Sequence, residues 1–254
     1  MLRYFWTYED VLPKDAPSIA LFGPVHLAWL CGIALAVILL CRWYGGINEK
    51  RRRAVGIAMG WTMLAGKAFE LSVITVHGFM STWYLPLQLC DLAIFVCLLH
   101  AYFGTDFLGQ VLYSLCLPGA CLALLFPDWT AYPALNYESI FSFMVHGTIV
   151  AYAVMQLTSE RVKPDMRKIW KPVVFLCIVV PPIYFLNKLW DTNFFFVNWP
   201  SEGSPLMLLW QLGGKMGYLP LYALAAFIAL VIMYFPFAAR SVGSRYIAKG
   251  ERKT

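Results

Sequence analysis

The stretch RRRAVGIAMGWTMLAGKAFELSVITVHG, residues 51–78, decides the fold: three arginines lead into an apolar run that nevertheless carries Lys67, Glu70 and His77. At about 1.5 Å per residue, a helix over 54–78 is long enough to cross roughly 30 Å of hydrocarbon. Comparable apolar runs lie at about 20–42, 86–103, 108–126, 138–158, 172–188 and 216–238. The expected fold is an all-α membrane protein, a bundle of seven transmembrane helices in which residues 1–254 make a single domain.

Composition points the same way. The chain is 60% hydrophobic and 13% charged, where a soluble domain carries about 25% charged residues. The net charge of +6 does not signal a nucleic-acid partner, because the basic residues gather in the breaks between apolar runs, where an orientation signal belongs. Met1 to Pro17 holds Glu9, Asp10 and Asp15 before any apolar run. That is unlike a cleavable signal peptide, so the first helix is expected to act as the insertion signal.

The distribution of Lys and Arg supports the count of seven. Arg42, Lys50, Arg51, Arg52 and Arg53 separate the first two runs; Arg161, Lys163, Arg167, Lys168 and Lys171 separate the fifth and sixth; Arg240, Arg245, Lys249, Arg252 and Lys253 follow the seventh. Seven crossings put all three groups on one side, with Arg3, Lys14, Lys188 and Lys215 on the other and Lys67 within a span. The positive-inside rule then predicts an N-terminus outside and a cytoplasmic C-terminus; the membrane is expected to be a bacterial plasma membrane.

Cys31, Cys41, Cys97, Cys116, Cys121 and Cys177 fall inside apolar runs and read as small buried hydrophobes. Trp83–Tyr84, Trp129 with Tyr132, and Trp190 followed by Phe194, Phe195, Phe196 and Trp199 read as an interfacial aromatic belt. Gly56-x-x-x-Gly60 and Gly213-x-x-x-Gly217 suggest close helix approach. Pro181–Pro182 and Pro236 suggest kinks. The segment 189–215, rich in Trp and Phe, is expected to lie on the membrane as a lid or lateral-entry element.

Ionisable groups in hydrocarbon cost several kcal/mol, so each needs a partner or a purpose. Lys67, Glu70 and His77 keep to one face of the second run. The third run opens with Gln88, Cys90 and Asp91, the first with His26, and the fifth holds His146 after Asn136 and Glu138, while Asn187 sits near the end of the sixth. In the deduced orientation His26, Cys90 and Asp91 lie about one to two turns below the outer boundary and Glu70 and His146 about two. Four helices converging on one depth point to a single polar cavity opening toward the outer leaflet. Duller readings exist: Lys67 and Glu70 as a self-neutralising pair, His26 and His77 as boundary groups bonded to water or headgroups. Cys90 at a helix start gains from the N-terminal dipole, and the carboxylate of Asp91 opposes that gain.

Phe22-Gly-Pro-x-His26, Leu85-Pro-Leu-Gln-Leu-Cys90, Phe143-x-x-His146-Gly147 and Tyr218-Leu-Pro-Leu-Tyr leading to Phe235-Pro236-Phe237 occur in this order along nearly the whole chain. In these residues the sequence resembles the YwaF-type integral membrane proteins related to eukaryotic transmembrane protein 164. The resemblance implies a membrane acyltransferase that moves a fatty acyl chain from a phospholipid to a lysophospholipid through a cysteine acyl-enzyme. Cys90 matches the motif cysteine, and His26 and His146 match the motif histidines. Asp91 stands where that family more often has a small polar residue.

On this reading Cys90 is the nucleophile, His146 the general base, and Gln88 or a backbone N–H at the start of the third helix the oxyanion donor. His26, Lys67, Glu70, His77, Asp91 and Asn187 orient these groups or bind substrate, with membrane phospholipids as partners and no cofactor or metal. Two rivals remain: a transporter or channel using Lys67, Glu70, Asp91 and the histidines as a proton or cation relay, and a lipid-binding receptor without chemistry.

Overall fold

The computed structural model describes residues 4–7, 11–13, 15–201 and 203–250, with side chains to residue 237. Arg3, Glu9, Asp10, Lys14, Arg252 and Lys253 lie outside the described residues, as do the side chains of Arg240, Arg245 and Lys249.

Seven helices are long and apolar enough to cross a membrane, and no strand occurs among the described residues. They are α1 (Pro24–Gly46), α2 (Glu49–Val76), α3 (Leu89–Phe103), α4 (Asp106–Leu125), α5 (Tyr137–Thr158), α6 (Trp170–Trp190) and α7 (Leu206–Gly250). The chain is thus an all-helical, seven-span protein. Capping sets several starts that hydropathy misplaces. Asn48 accepts from Arg51 N at 3.0 Å and starts α2 at the charged Glu49, ahead of the apolar run. Pro24 opens α1 after Gly23.

The centre of the bundle is built from α2, α3, α4 and α5. Helix α1 packs on α5, yet its buried residues are only His26 and Tyr44, because most of its apolar side chains face outward, as a lipid-facing helix requires. Gly56 and Gly60 let α2 approach its neighbours as their spacing suggested. A Cβ on Gly60 would stand 3.0 Å from the Leu98 Cα, and one on Gly56 would stand 3.0 Å from the Tyr152 ring.

Several expectations change. Gly213-x-x-x-Gly217 is not a helix contact: a Cβ on Gly213 would meet Leu221 of its own helix, and nothing lies near Gly217. Gly214 instead breaks α7 with φ 58° and ψ −166°, a backbone state open to glycine. The apolar residues 206–212 are therefore helical, which shortens the 189–215 loop to a connector over 191–205. Pro181 and Pro182 lie within an unbroken α6. Of the cysteines read as buried, Cys97 and Cys116 are buried, Cys31 and Cys177 are exposed, and Cys41 and Cys121 are intermediate. Lipid covers an exposed thiol as readily as protein does, so hydropathy cannot separate the two cases.

The bundle has two distinct ends. One carries the N-terminal segment and the 77–88, 126–136 and 191–205 connectors. The other carries the short 47–48 and 104–105 links and the 159–169 link, where Arg161 Nη2 meets Glu49 Oε1 at 3.2 Å. The first two basic groups therefore share one end.

Candidate functional site at the start of α3

Gln88 is the N-cap of α3, so Cys90 is its second residue and Asp91 its third. The Gln88 backbone N–H donates to Asp91 Oδ2 at 3.2 Å, the reciprocal half of a capping box. Asp91 Oδ1 lies 3.2 Å from Lys67 Nζ on α2. The same ammonium donates to Glu70 Oε1 at 3.3 Å and sits 3.0 Å from Glu70 Oε2. That second oxygen is buried and not aligned for a hydrogen bond. Glu138 at the start of α5 meets the Glu70 carboxyl and accepts from Ser142 Oγ at 3.5 Å. Lys67 is therefore no self-contained pair with Glu70: it joins three helices, and its charge balances the Asp91 carboxylate beside Cys90.

His146 lies on α5 with its Nδ1 2.7 Å from the Ser142 carbonyl. A carbonyl only accepts, so Nδ1 carries the proton and Nε2 keeps its lone pair. No described residue bonds that Nε2. The ring stacks on Trp129, centroids 4.9 Å apart and planes 22° apart. Trp129 and Tyr132 are buried, as are Phe194 and Phe195. These four belong to the protein interior and not to an aromatic belt; Trp83 and Trp199, 6.3 Å apart, are exposed as a belt requires. Lys67, Asp91 and Asp128 lie within electrostatic range of both Cys90 and His146. Asp128 lies in the α4–α5 connector and is exposed; desolvation by the surrounding protein raises its carboxyl above the ordinary value, against the opposing pull of His146.

Other candidates take structural places. His26 is fully buried; Phe22 N–H donates to its Nδ1 at 2.9 Å, and its Nε2 donates to the Leu124 carbonyl at 2.7 Å. Both nitrogens are engaged, and the ring ties α1 to the end of α4. His77 caps α2, is exposed, and its Nδ1 lies 2.8 Å from the Val73 carbonyl. Asn187 is buried and spans the next turn: its Nδ2 donates to Phe194 O, and its Oδ1 accepts from Thr192 Oγ1 and Phe194 N, each at 2.9 Å.

Asn187 thereby shapes the α6–α7 connector, which reaches back to the site. Phe195 N–H donates to Gln88 Oε1 at 2.9 Å. Phe194, Phe195 and Val197 bury against Leu85, Leu87 and Leu89. Phe195 and Phe196 both have left-handed backbones, φ 60° and 53°, a strained pair held by these contacts. The Gln88 carbonyl oxygen is thus committed to structure, and its Nε2 remains as a donor.

Glu138, Asp128 and Trp129 complete the surroundings, and the sequence reading gave none of them a role at the site. Glu138 lay beside the fifth run as a visible acid; Asp128 and Trp129 are loop residues with no periodic signal. Among the described residues, no three His, Cys, Asp or Glu side chains are arranged to hold a metal ion.

No curated protein and no solved structure matches the chain. The TMEM164 family matches it over residues 21–237, a range that includes α1 to α6, the described side chains of α7 and every residue of the cluster. The chain belongs to the TMEM164 family of membrane proteins.

Proposed function

We propose that the protein is a phospholipid acyltransferase of a bacterial plasma membrane, working through a thioester on Cys90, with the N-terminal end of the bundle outside and the C-terminus in the cytoplasm. The observation that carries this reading is the 2.7 Å contact of His146 Nδ1 with the Ser142 carbonyl: it favours a proton on Nδ1 and leaves Nε2 to accept one, within electrostatic range of residues that also act on Cys90 at a helix start. A general base needs that arrangement.

Cys90 Sγ–H passes its proton to His146 Nε2, directly or through one water, as Sγ bonds to the ester carbonyl carbon of a phospholipid. The resulting oxyanion takes hydrogen bonds from the Leu89 and Cys90 N–H groups in the first turn of α3, which have no intrahelical partner, and from Gln88 Nε2. Collapse breaks the carbon–oxygen bond to the glycerol, whose oxygen receives the proton from His146. A lysophospholipid leaves and the acyl group stays on Cys90. A lysolipid hydroxyl then reverses the sequence: His146 takes its proton, its oxygen attacks the thioester, and the thiol is restored. Lys67 offsets the Asp91 carboxylate, which would otherwise oppose a thiolate at Cys90. The α6–α7 connector covers the Gln88–Cys90 turn and keeps water from the thioester.

Purified protein, a labelled diacyl phospholipid and a lysolipid acceptor test the reading. Label should reach the acceptor with wild-type protein and not with Cys90→Ala; exchange at the wild-type rate in that variant rules out the nucleophile.

The chain of Lys67, Glu70, Asp91 and Glu138 supports a second reading, a proton or cation relay, since linked carboxyls within a span are the usual parts of one. Ion flux in sealed vesicles without lipid turnover would select it. A lipid held at this site without chemistry would show ligand retention unaffected by Cys90→Ser.

A further inference from the structure

At the opposite end of the bundle, a cavity of about 400 Å³ opens between the first turn of α2, the end of α3 and the α5–α6 link. Glu49, Lys50, Arg53 and Arg161 line it, with residues 101–104 as its floor. We propose that this cavity binds the phosphate of an anionic phospholipid in the leaflet facing away from Cys90.

Charge is the first argument. Glu49 pairs with Arg161 at 3.2 Å, while Lys50 and Arg53 have no carboxylate partner among the described residues. Two positive charges stay uncompensated, and the start of the long helix α2 adds its partial positive charge to them.

Geometry is the second. An orientation signal requires only a number of positive charges, whereas these guanidinium groups are held in place. Arg53 Nη2 donates to the Tyr102 carbonyl at the end of α3 at 2.9 Å. Arg161 Nη1 donates to Tyr44 Oη at 3.2 Å, and Gln156 Nε2 donates to the same hydroxyl at 3.1 Å. Side chains from separate elements are thus pre-oriented around one space, which lowers the entropic cost of binding a tetrahedral anion.

The third argument separates a lipid from a soluble phosphate. Tyr102 and Phe103 line the cavity and are also exposed on the outer surface of the bundle. Trp61 Nε1 donates to Tyr102 Oη at 2.9 Å, and Trp61 is likewise exposed. The cavity therefore runs into an aromatic wall at the membrane-facing surface, suited to glycerol and the first methylenes of acyl chains. The uncompensated charge favours a phosphodiester with no ammonium of its own, such as phosphatidylglycerol, over a zwitterionic lipid.

The test uses the purified full chain in micelles, with retention of phosphatidylglycerol and of phosphatidylcholine measured by native mass spectrometry. Phosphatidylglycerol should be retained preferentially, and Lys50→Gln/Arg53→Gln should weaken its binding about tenfold or more. Lys50→Gln alone, which removes no intramolecular bond, should weaken it several-fold, and Arg167→Gln, outside the cavity, should leave it unchanged. Equal retention of the two lipids, or unchanged affinity in Lys50→Gln, overturns the proposal. So does complete displacement of the lipid by millimolar inorganic phosphate, which would mark a site for a soluble anion.

Discussion

Lys67 Nζ on α2 lies 3.2 Å from Asp91 Oδ1 at the start of α3, and 3.0 Å from Glu70 Oε2 on its own helix. One ammonium is therefore shared by two buried carboxylates and helps fix the turn that presents Cys90. Lys67→Met leaves both carboxylates uncompensated and should cost about 3 kcal/mol or more of stability. Adding Asp91→Asn should recover part of that loss, because one unpaired charge is removed; strictly additive effects in thermal unfolding would mean the pair is uncoupled.

His26 should separate from His146 on the same assays. Both of its nitrogens serve α1 and α4, so His26→Phe should lower stability by about 2 kcal/mol through the unpaired Leu124 carbonyl. Acyl transfer per folded molecule should persist. His146→Gln should retain the fold and lose transfer by about a hundredfold or more. Equal loss of activity per folded molecule in both variants would return His26 to the chemistry.

The crossing of α2 and α3 admits no side chain at Gly60. A Cβ there would stand 2.8 Å from Leu98 Cδ1 and 3.0 Å from Leu98 Cα; the methyl can rotate away, but the backbone atom cannot. Gly60→Ala should cost about 1–3 kcal/mol. The Lys67–Asp91 contact joins the same two helices, so transfer activity should fall with it. A variant as stable and active as wild type would show that the helices part without cost.

The architecture was legible because lipid imposes one rule on every span: apolar length. Seven runs and the sharing of one end by the basic residues around 42–53 and 161–171 followed from it. Helix ends were less legible, since Asn48 starts α2 among charged residues and the last helix begins at Leu206, ahead of the apolar run at 216–238, with a break at Gly214 between them. At the site, the meeting of Lys67, Glu70 and Asp91 followed from their shared depth. The backbone partners of His26 and Asn187 were not legible, because a buried polar side chain reads the same in sequence whether it faces a substrate or a carbonyl. Asp128 left no trace and Trp129 read as a belt residue, because only the folded chain brings these connector residues to His146.

Asp128 gives a pH dependence whose sign can be stated. Crowding holds its folded carboxyl above the ordinary value, with His146 opposing, so the folded state keeps its proton more tightly than the unfolded chain. Its contribution to stability is complete below the ordinary carboxylate value of about 4 and is lost as pH rises through the folded value. Asp128→Asn should therefore lose less stability than wild type as pH is raised from about 4 toward neutrality. The effect is small because the side chain reaches solvent; a steeper loss in the variant would reverse the assignment.

The thioester itself is the most direct test. Wild-type protein is incubated with a diacyl phospholipid and no acceptor, and the intact protein and its Cys90 peptide are weighed by mass spectrometry. The account predicts one added acyl mass on Cys90, released by neutral hydroxylamine, discharged by a lysolipid and absent from Cys90→Ala. Lipid turnover with Cys90 unmodified, or the same adduct persisting in Cys90→Ala, would contradict it.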